Sequence, residues 1–334
     1  MRRICGVFLV STAVLWGQSA PLIPKTYYRY FNHTNPVLKR IKPGEVVVTK
    51  TIDSAAMDFE GKVRHSESGN PLTGPFFIEG ADPGDAIRVE FRKVRLNRNW
   101  GTTAYRLGLY AVLPEAIEGL HKGNDRPDKV IKGRNNIVKW DIDLARNMVK
   151  LNDPASKVAK LEFPAVPMLG CVGVAAPGDF SPTSGPAGSY GGNLDYNELR
   201  EGATVILPVY HPGALLYIGD GHALQGDGEA TGNGVETSMD VEFSATVQKK
   251  ASLTGPRLEN SEYLISIGAQ PEFVSPLDHA LQMATTDMAR WLQQDYKMEP
   301  FAAHLLISLQ AKYDVITVAG SMGLKIPKKY LPAR

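Results

Sequence analysis

Apolar and polar residues alternate in short runs from residue 44 to about residue 268, and the runs are rich in β-branched side chains. A period of two is typical of a strand with one buried face, so these runs predict strands. The clearest are Glu45–Lys50, Ala86–Val94, Lys157–Phe163, Ala203–Tyr210 and Thr237–Val247.

The segments before three of these strands resemble one another. They are Lys42–Glu45, Asp82–Asp85 and Arg200–Ala203, and the first two have Pro-Gly at their centre. Pro-Gly suits a type II turn that leads into a strand. Tight turns between strands favour hairpins and meanders over βαβ units. The expected fold is therefore mainly β, with an antiparallel β-sandwich or barrel-like core.

Helical periodicity becomes convincing only near the C-terminus. Ser275 and Pro276 supply an N-cap and a first-turn proline, and a second helix is predicted over Pro300–Tyr313, with a strand near Val315. After Ser275, apolar residues recur at spacings of three and four, at Leu277, Leu281, Ala284, Met288 and Trp291. The pattern predicts a β-rich part over residues 21–270 and a small α+β part with two helices over residues 271–334.

The N-terminus has the features of an export signal. Arg2 and Arg3 precede an apolar run, Ile4–Trp16, and Gln18-Ser19-Ala20 offers small residues for cleavage. The alternative is a retained membrane anchor, but a spanning helix needs about 20 apolar residues. We therefore expect residues 1–20 to be cleaved, a periplasmic or secreted protein, and no stable membrane insertion afterwards.

The composition indicates a globular protein and excludes some classes of partner. With 43% apolar residues among 334, the chain can fill a buried core. The 37 Lys and Arg nearly balance the 35 Asp and Glu, and no basic stripe is present, so we expect no nucleic-acid partner. Cys171 alone would remain after signal cleavage, which excludes an intrachain disulfide, and its apolar neighbours indicate an inert buried thiol.

One long segment contains no basic side chain except histidine. Residues 201–248 have no Lys or Arg. Uncompensated carboxylates resist burial, so a convergence of these side chains would require a cation. The acidic residues of the segment are Glu201, Asp220, Asp227, Glu229, Glu236, Asp240 and Glu242.

Within this segment, residues 219–229 contain pairs of chemically useful residues. Asp220 and His222 are two apart, so an extended backbone points both side chains to the same side, and Asp227 and Glu229 repeat the spacing. Imidazole with carboxylates favours zinc, whereas calcium prefers oxygen ligands and would need a separate site. The alternative is that the Asp-Gly pairs are turn residues and His222 is a hydrogen-bonded polar side chain.

Several separated motifs together resemble the acetamidase/formamidase family across nearly the whole mature chain. The resemblance implies a mainly β fold, a divalent metal, and hydrolysis of formamide, acetamide and related amides by metal-activated water; it also suggests a homodimer. The matching segments are His33-x-Asn35-Pro36, Thr51–Asp53, Asn70–Asp85, Gly170–Pro177, Gly191–Asp195, and Gly219–Glu229 leading to Glu236.

On this basis we expect four metal ligands. Asp220 and His222 are the first pair, and Asp195 and Asp53 complete the site from distant strands. Zinc is the expected ion, with calcium left open at a second, all-oxygen site.

The expected chemistry is the hydrolysis of a small amide. Glu229 is expected to be the general base and acid, with Glu236 as the alternative, and His222 belongs to the catalytic group as well as to the ligands. Asn193 and Gln225 are expected to hydrogen-bond the substrate amide or the developing oxyanion.

A different class of protein is also compatible with the sequence. An exported, non-catalytic β-sandwich that binds a sugar or another small molecule would use its metal only to hold loops. Such a module would tolerate Glu229→Gln.

Overall fold

The structure is a computed structural model that describes residues 20–108, 110–113, 115–116, 137–153, 160–269 and 276–333. The predicted signal sequence, apart from Ala20, lies outside the described residues. Ser275, the predicted N-cap, and the first part of the predicted strand Lys157–Phe163 also lie outside them.

The described residues form nineteen strands and two α-helices. The strands are β1 (Lys39–Ile41), β2 (Val46–Lys50), β3 (Leu72–Ile78), β4 (Ala86–Leu96), β5 (Trp100–Ala104), β6 (Ile137–Asp143), β7 (Met148–Asn152), β8 (Glu162–Pro164), β9 (Met168–Val174), β10 (Ala187–Gly188), β11 (Gly191–Asn193), β12 (Thr204–Pro208), β13 (Leu216–His222), β14 (Glu236–Thr237), β15 (Met239–Gln248), β16 (Arg257–Glu259), β17 (Tyr263–Ala269), β18 (Lys312–Thr317) and β19 (Ser321–Pro327). The helices are α1 (Leu277–Tyr296) and α2 (Pro300–Gln310).

The strands form two sheets. The first has the order β10-β11-β9-β13-β14-β5-β6-β7-β8, with β3 also on β13 and β1 on β3. The second has the order β18-β19-β17-β16-β12-β4-β15-β2. Every pair is antiparallel except β1 with β3. Both sheets end in edge strands, so the described strands form open sheets and not a closed barrel.

The main core lies between the two sheets. Alternating residues of each sheet point into it, as the period-two pattern requires. Phe76 of β3 and Phe243 of β15 show the contact, because their rings meet edge to face at 5.1 Å. Both are fully buried, with many aliphatic side chains around them. The prediction of a mainly β, antiparallel fold is confirmed.

The C-terminal helices cover the outer face of the second sheet. Ala284, Met288 and Trp291 of α1 are buried against Leu324 and Ile326 of β19, which confirms that face of the predicted helix.

The predicted second helix was three residues too long at its C-terminal end. The chain becomes extended at Ala311, and Lys312 begins β18, which pairs with β19. β19 in turn pairs with β17, so the α+β part continues the sheet of the β-rich part. In the described part of the chain, no helix has the length and apolarity needed to cross a bilayer.

Candidate active site

An interior strand of the first sheet, β13, contains Asp220 and His222. All seven of its residues are buried, and β9, β3 and β14 pair with it. As the spacing of two predicts, both side chains lie on the same side, with 3.5 Å between Asp220 Oδ1 and His222 Nε2. Glu236 of β14 lies directly opposite His222 in the register, and its Oε1 is 3.3 Å from the same Nε2.

Asp195 reaches this pair from the loop after β11. Its backbone N–H donates to the carbonyl of Gly170 on β9 at 3.1 Å. Gly170 lies beneath both carboxylates, because an added Cβ there would overlap the side chains of Asp195 and Asp220. A glycine is therefore required at residue 170 for the two carboxylates to approach.

Glu229 completes the cluster from the loop between β13 and β14. The ligand atoms of Asp195, Asp220 and His222 lie within 4.8 Å of one another, and those of His222, Glu229 and Glu236 do the same. The two groups share His222. Side chains that are distant in sequence thus converge on one imidazole.

Four residues around the site have left-handed backbone conformations that non-glycine residues rarely adopt. Their φ angles are 54° for Asn70, 46° for Asp195, 55° for Asp220 and 45° for Glu229. Such conformations are disfavoured by about 1–2 kcal/mol and are tolerated where the surroundings enforce them, often at functional sites. The fold therefore holds these side chains in place against a local preference.

Each of three carboxylates in the cluster has one oxygen held by an asparagine. The side-chain amide of Asn193 donates to Asp195 Oδ2, that of Asn70 to Asp220 Oδ2 at 3.1 Å, and that of Asn233 to Glu236 Oε1 at 3.2 Å. The other oxygen of each carboxylate, namely Asp195 Oδ1, Asp220 Oδ1 and Glu236 Oε2, is buried and has no hydrogen-bond partner.

His222 likewise has one ring nitrogen with a hydrogen-bond partner and one without. Its Nδ1 is 2.7 Å from Gln225 Oε1, and Gln225 Nε2 donates to the backbone carbonyl of Asp195 at 2.5 Å. Gln225 Oε1 accepts a hydrogen bond from the Nδ1–H of His222, which leaves Nε2 as the ring nitrogen that faces the carboxylates. His222 Nε2 is likewise buried without a partner.

Four buried ligand atoms without partners in one cluster are unusual in a folded protein. Almost all buried polar atoms are hydrogen-bonded, and each exception needs an explanation. A divalent cation would satisfy such atoms because it accepts a lone pair from each ligand, and either group of ligand atoms around His222 could hold one. The residues present therefore fit a metal, and an imidazole with carboxylates suits a transition metal.

The carboxylates of the cluster repel one another and lack water. Burial raises the pKa of Asp220 to about 6, with Glu236 as a further cause. Burial also raises the pKa of Glu229 to about 8, and burial together with Glu229 and Asp220 raises the pKa of Asp195 well above its usual range. Without a metal, the cluster therefore retains protons at neutral pH.

Glu236 and His222 shift in the directions of an ion pair. For Glu236 burial raises the pKa, but the adjacent His222 and the hydrogen bond from Asn233 lower it below its usual value overall. For His222 burial lowers the pKa, but Glu236 and Asp220 raise it well above its usual value overall. Glu236 is thus the most readily ionised carboxylate of the cluster.

Asp53 belongs to neither group of ligand atoms. Its Oδ2 accepts a hydrogen bond from Arg98 Nη2 at 2.6 Å, and its Oδ1 accepts one from the backbone N–H of Met57 at 2.7 Å. Both Asp53 and Arg98 have side chains only 1% exposed. The structure thus places Asp53 in a buried ion pair, and Glu236, expected only as an alternative base, provides the fourth unpartnered atom.

The residues expected to bind substrate also make internal contacts. Asn193 Oδ1 accepts hydrogen bonds from Asn70 at 3.1 Å and from the Cys171 thiol at 2.7 Å, yet Asn193 still lines the cavity beside the cluster. Gln225 lies behind His222 and does not line that cavity. Burial raises the pKa of Cys171 well above its usual value, so its thiol remains protonated.

A cavity of about 260 Å³ opens onto the cluster. Asp195 and Glu229 line its floor, and Pro186, Ala230 and Val318 are among its apolar walls. Its position makes Asp195 and Glu229 the cluster residues that an entering molecule would meet first.

Two of the supporting residues were not singled out from the sequence. Asn70 donates a hydrogen bond to Asp220, which lies 150 residues away in the sequence. Gly170 has no side chain, and its place is needed by the carboxylates of Asp195 and Asp220. Both lie inside motifs of the family resemblance, Asn70–Asp85 and Gly170–Pro177, which was the only available signal.

Comparisons with known proteins point to one family. The model of the "Acetamidase/Formamidase family" matches residues 182–310. A formamidase of Methylophilus methylotrophus is 24% identical over 245 residues, 59% of this chain and 57% of that protein. The chain spans about three fifths of the length of the curated relatives it matches.

Two crystal structures are similar over almost the whole chain. An acetamidase of Bacillus halodurans has a TM-score of 0.74 and 25% identity, covering 93% of this chain and 98% of that one. An acetamidase of Yersinia enterocolitica has a TM-score of 0.73 and 26% identity, covering 95% of each chain.

Proposed function

Because this chain belongs to the acetamidase/formamidase family, we propose that it hydrolyses the C–N bond of a simple linear amide to a carboxylate and ammonia. The observation that supports this most directly is the set of four unpartnered, buried ligand atoms beside a cavity whose floor includes Glu229. The alternative of a non-catalytic binding module accounts for a structural metal but assigns no role to Glu229.

Asp195, Asp220, His222 and Glu236 would hold the metal through the atoms that lack partners. When bound, a divalent metal polarises the amide carbonyl and provides a water nucleophile at neutral pH. We propose zinc, since the donor set combines imidazole nitrogen with carboxylate oxygen. A separate calcium site remains a prediction, because both groups of ligand atoms found in the described residues include His222.

Glu229 is the residue to which we assign the proton transfers. It lines the cavity, whereas Glu236 is 5% exposed and is held by Asn233 and His222. Glu229 accepts a proton from water as the water oxygen bonds the carbonyl carbon. It then returns the proton to the amide nitrogen as the C–N bond breaks, which releases ammonia.

The amide side chains have separate tasks. Gln225 and Asn70 orient His222 and Asp220, so we assign both to positioning. Asn193 orients Asp195 and also lines the cavity, and its contact with the substrate amide remains a prediction.

The deciding experiment measures ammonia release from formamide and acetamide by purified protein, before and after chelation and after zinc is added back. We expect chelation to remove activity and zinc to restore it. Glu229→Gln should lower kcat by about 10²–10⁴-fold with the metal content unchanged, because it removes the general base. Asp227→Asn, an exposed acid in the same loop, is the matched control and should retain wild-type activity.

One outcome would overturn the proposed function. If metal analysis shows a tightly held ion and no amide is hydrolysed under any metal loading, the protein is a binding module whose metal holds its loops.

Export and assembly are further proposals. We propose that residues 1–20 direct the chain to the periplasm or the exterior and are then removed, and that the mature protein is a homodimer. Intact mass and cell fractionation test the first proposal, since the full-length mass in the cytoplasmic fraction would contradict it. Light scattering of the purified protein tests the second.

A further inference from the structure

Part of the wall of the cavity that Asp195 and Glu229 also line comes from the C-terminal part of the chain. The turn between β18 and β19, with residues 317–321, lines it. We infer that this turn, with Val318 and Ala319 at its tip, sets the length of the acyl group that the site accepts. We also infer a neutral amide substrate whose apolar acyl group is longer than acetyl. The inference rests on the proposed amide hydrolysis and deepens it.

The turn is attached directly to the loop that contains Glu229. The backbone N–H of Gly228 donates to the carbonyl of Val315 at 2.7 Å, and the N–H of Val318 donates to the carbonyl of Gly228 at 2.8 Å. Gly228 has a φ of 83°, and a Cβ there would lie 3.3 Å from Val318 Cγ1. The turn and the loop of the proposed base are therefore held in a fixed relation.

The cavity is larger than the smallest amides require. Its volume of about 260 Å³ is well above the ~30 Å³ that one water molecule takes up in the liquid, so it has room for several waters. Formamide or acetamide would displace only a few of these and leave water against an apolar wall. A longer acyl chain would displace that water, and each added methylene is worth about three- to fourfold in binding.

The chemistry of the walls indicates the end group of the acyl chain. Among the described residues that line the cavity there is no Lys or Arg, and the only charged ones are Asp195 and Glu229 on the floor. Small side chains such as Ala187 and Ala230 also line the cavity. A carboxylate end group at the turn would meet no basic side chain among the described lining residues, and burying a charge without a counter-ion is costly, so the acyl group is neutral and apolar.

The experiment compares kcat/KM of the metal-loaded protein for formamide, acetamide, propionamide, butyramide and succinamate. We expect the butyramide-to-formamide ratio to be several tens, after three added methylenes. Succinamate, which ends in a carboxylate, should be at least about tenfold poorer than butyramide. Ala319→Phe should lower the butyramide-to-formamide ratio at least about tenfold, because the larger side chain shortens the cavity.

Ala145→Phe in the exposed turn between β6 and β7 is the matched control, and it should leave that ratio at the wild-type value. Should Ala319→Phe fail to fold, as judged by circular dichroism, Val318→Ala replaces it. That variant lengthens the cavity and should raise hexanamide over butyramide by about threefold or more.

Two outcomes would overturn the inference: a wild-type preference for formamide, or variant ratios equal to the wild-type ones. If no amide is hydrolysed, the proposed function fails. Calorimetric measurement of amide binding then tests whether the turn selects the acyl length. Tighter binding of butyramide than of formamide, lost in Ala319→Phe, supports the inference. Equal binding of both amides overturns it.

Discussion

The protein buries carboxylates in two contrasting regions. Between α1 and the second sheet, Asp287 accepts two hydrogen bonds from Arg257, at 2.8 and 2.9 Å, with the guanidinium also over Trp291. In the first sheet, the cluster around His222 leaves one oxygen of each of three carboxylates without a partner. The first region compensates its charge within the chain, as the Asp53–Arg98 pair also does, whereas the second has more carboxylates than His222 can compensate and fits a cation from outside.

The two regions should also differ in the sign of the stability change when a carboxylate is removed. Removing a carboxylate from a complete ion pair leaves a buried cation alone, which destabilises the fold. Removing one from a like-charged cluster relieves repulsion, which stabilises the metal-free fold. Buried acids of the same type should therefore have opposite effects in the two regions.

The largest effect is expected at the complete ion pair. Asp287→Ala leaves the buried Arg257 guanidinium unpaired and should lower the free energy of unfolding by about 3–5 kcal/mol. Urea unfolding measures it. Glu60→Ala, in an exposed pair with Lys62, should change it by no more than about 1 kcal/mol. Equal losses in both variants would contradict the contrast.

The next effect is the pH dependence of the metal-free protein. Asp220, with a pKa of about 6, and Glu229, with a pKa of about 8, bind protons more tightly than unfolded carboxyls with a pKa of about 4. As pH rises above about 4 the unfolded chain therefore releases these protons first, and the folded state loses stability through pH 8.

Between pH 5 and pH 8 the free energy of unfolding of the metal-free protein should fall by a few kcal/mol, and Asp220→Asn should reduce the fall. Saturating zinc should add stability, more so at pH 8, because zinc competes with the protons. A metal-free protein that is more stable at pH 8 than at pH 5 would disprove the assignment of the cluster.

A single substitution tests the sign directly. Asp220→Asn should raise the free energy of unfolding of the metal-free protein at pH 8 by about 1–3 kcal/mol while weakening zinc binding. Asp287→Asn, the same chemical change at the other region, should lower stability. The contrast fails if both variants shift stability in the same direction.

The smallest effect should come from an orienting asparagine. Asn70→Ala removes the donor to Asp220 Oδ2 and should weaken zinc affinity about 10–100-fold, measured by competition with a chelator. Asn152→Ala, which removes an exposed hydrogen bond to Asp141, is the control and should leave the affinity unchanged. Unchanged affinity in Asn70→Ala would show that Asp220 needs no orienting partner.

Several of these features follow from sequence alone because they are local. A spacing of two on a strand places Asp220 beside His222, and the absence of Lys and Arg over residues 201–248 indicates uncompensated charge there. Alternation and turns likewise predict most strands, since each residue in a strand faces the side opposite to its neighbour.

Only the tertiary structure decided which distant groups meet. Asp53 pairs with Arg98 because the chain brings them together over 45 residues, and the register of β13 with β14 places Glu236 opposite His222. The β18–β19 turn reaches the Glu229 loop through backbone hydrogen bonds, which leave no mark in the side-chain pattern. Sequence by itself determined the strand-rich fold and the types of ligand, because periodicity and residue chemistry are local. Partners and cavity walls depend on register and packing, which only the folded chain specifies.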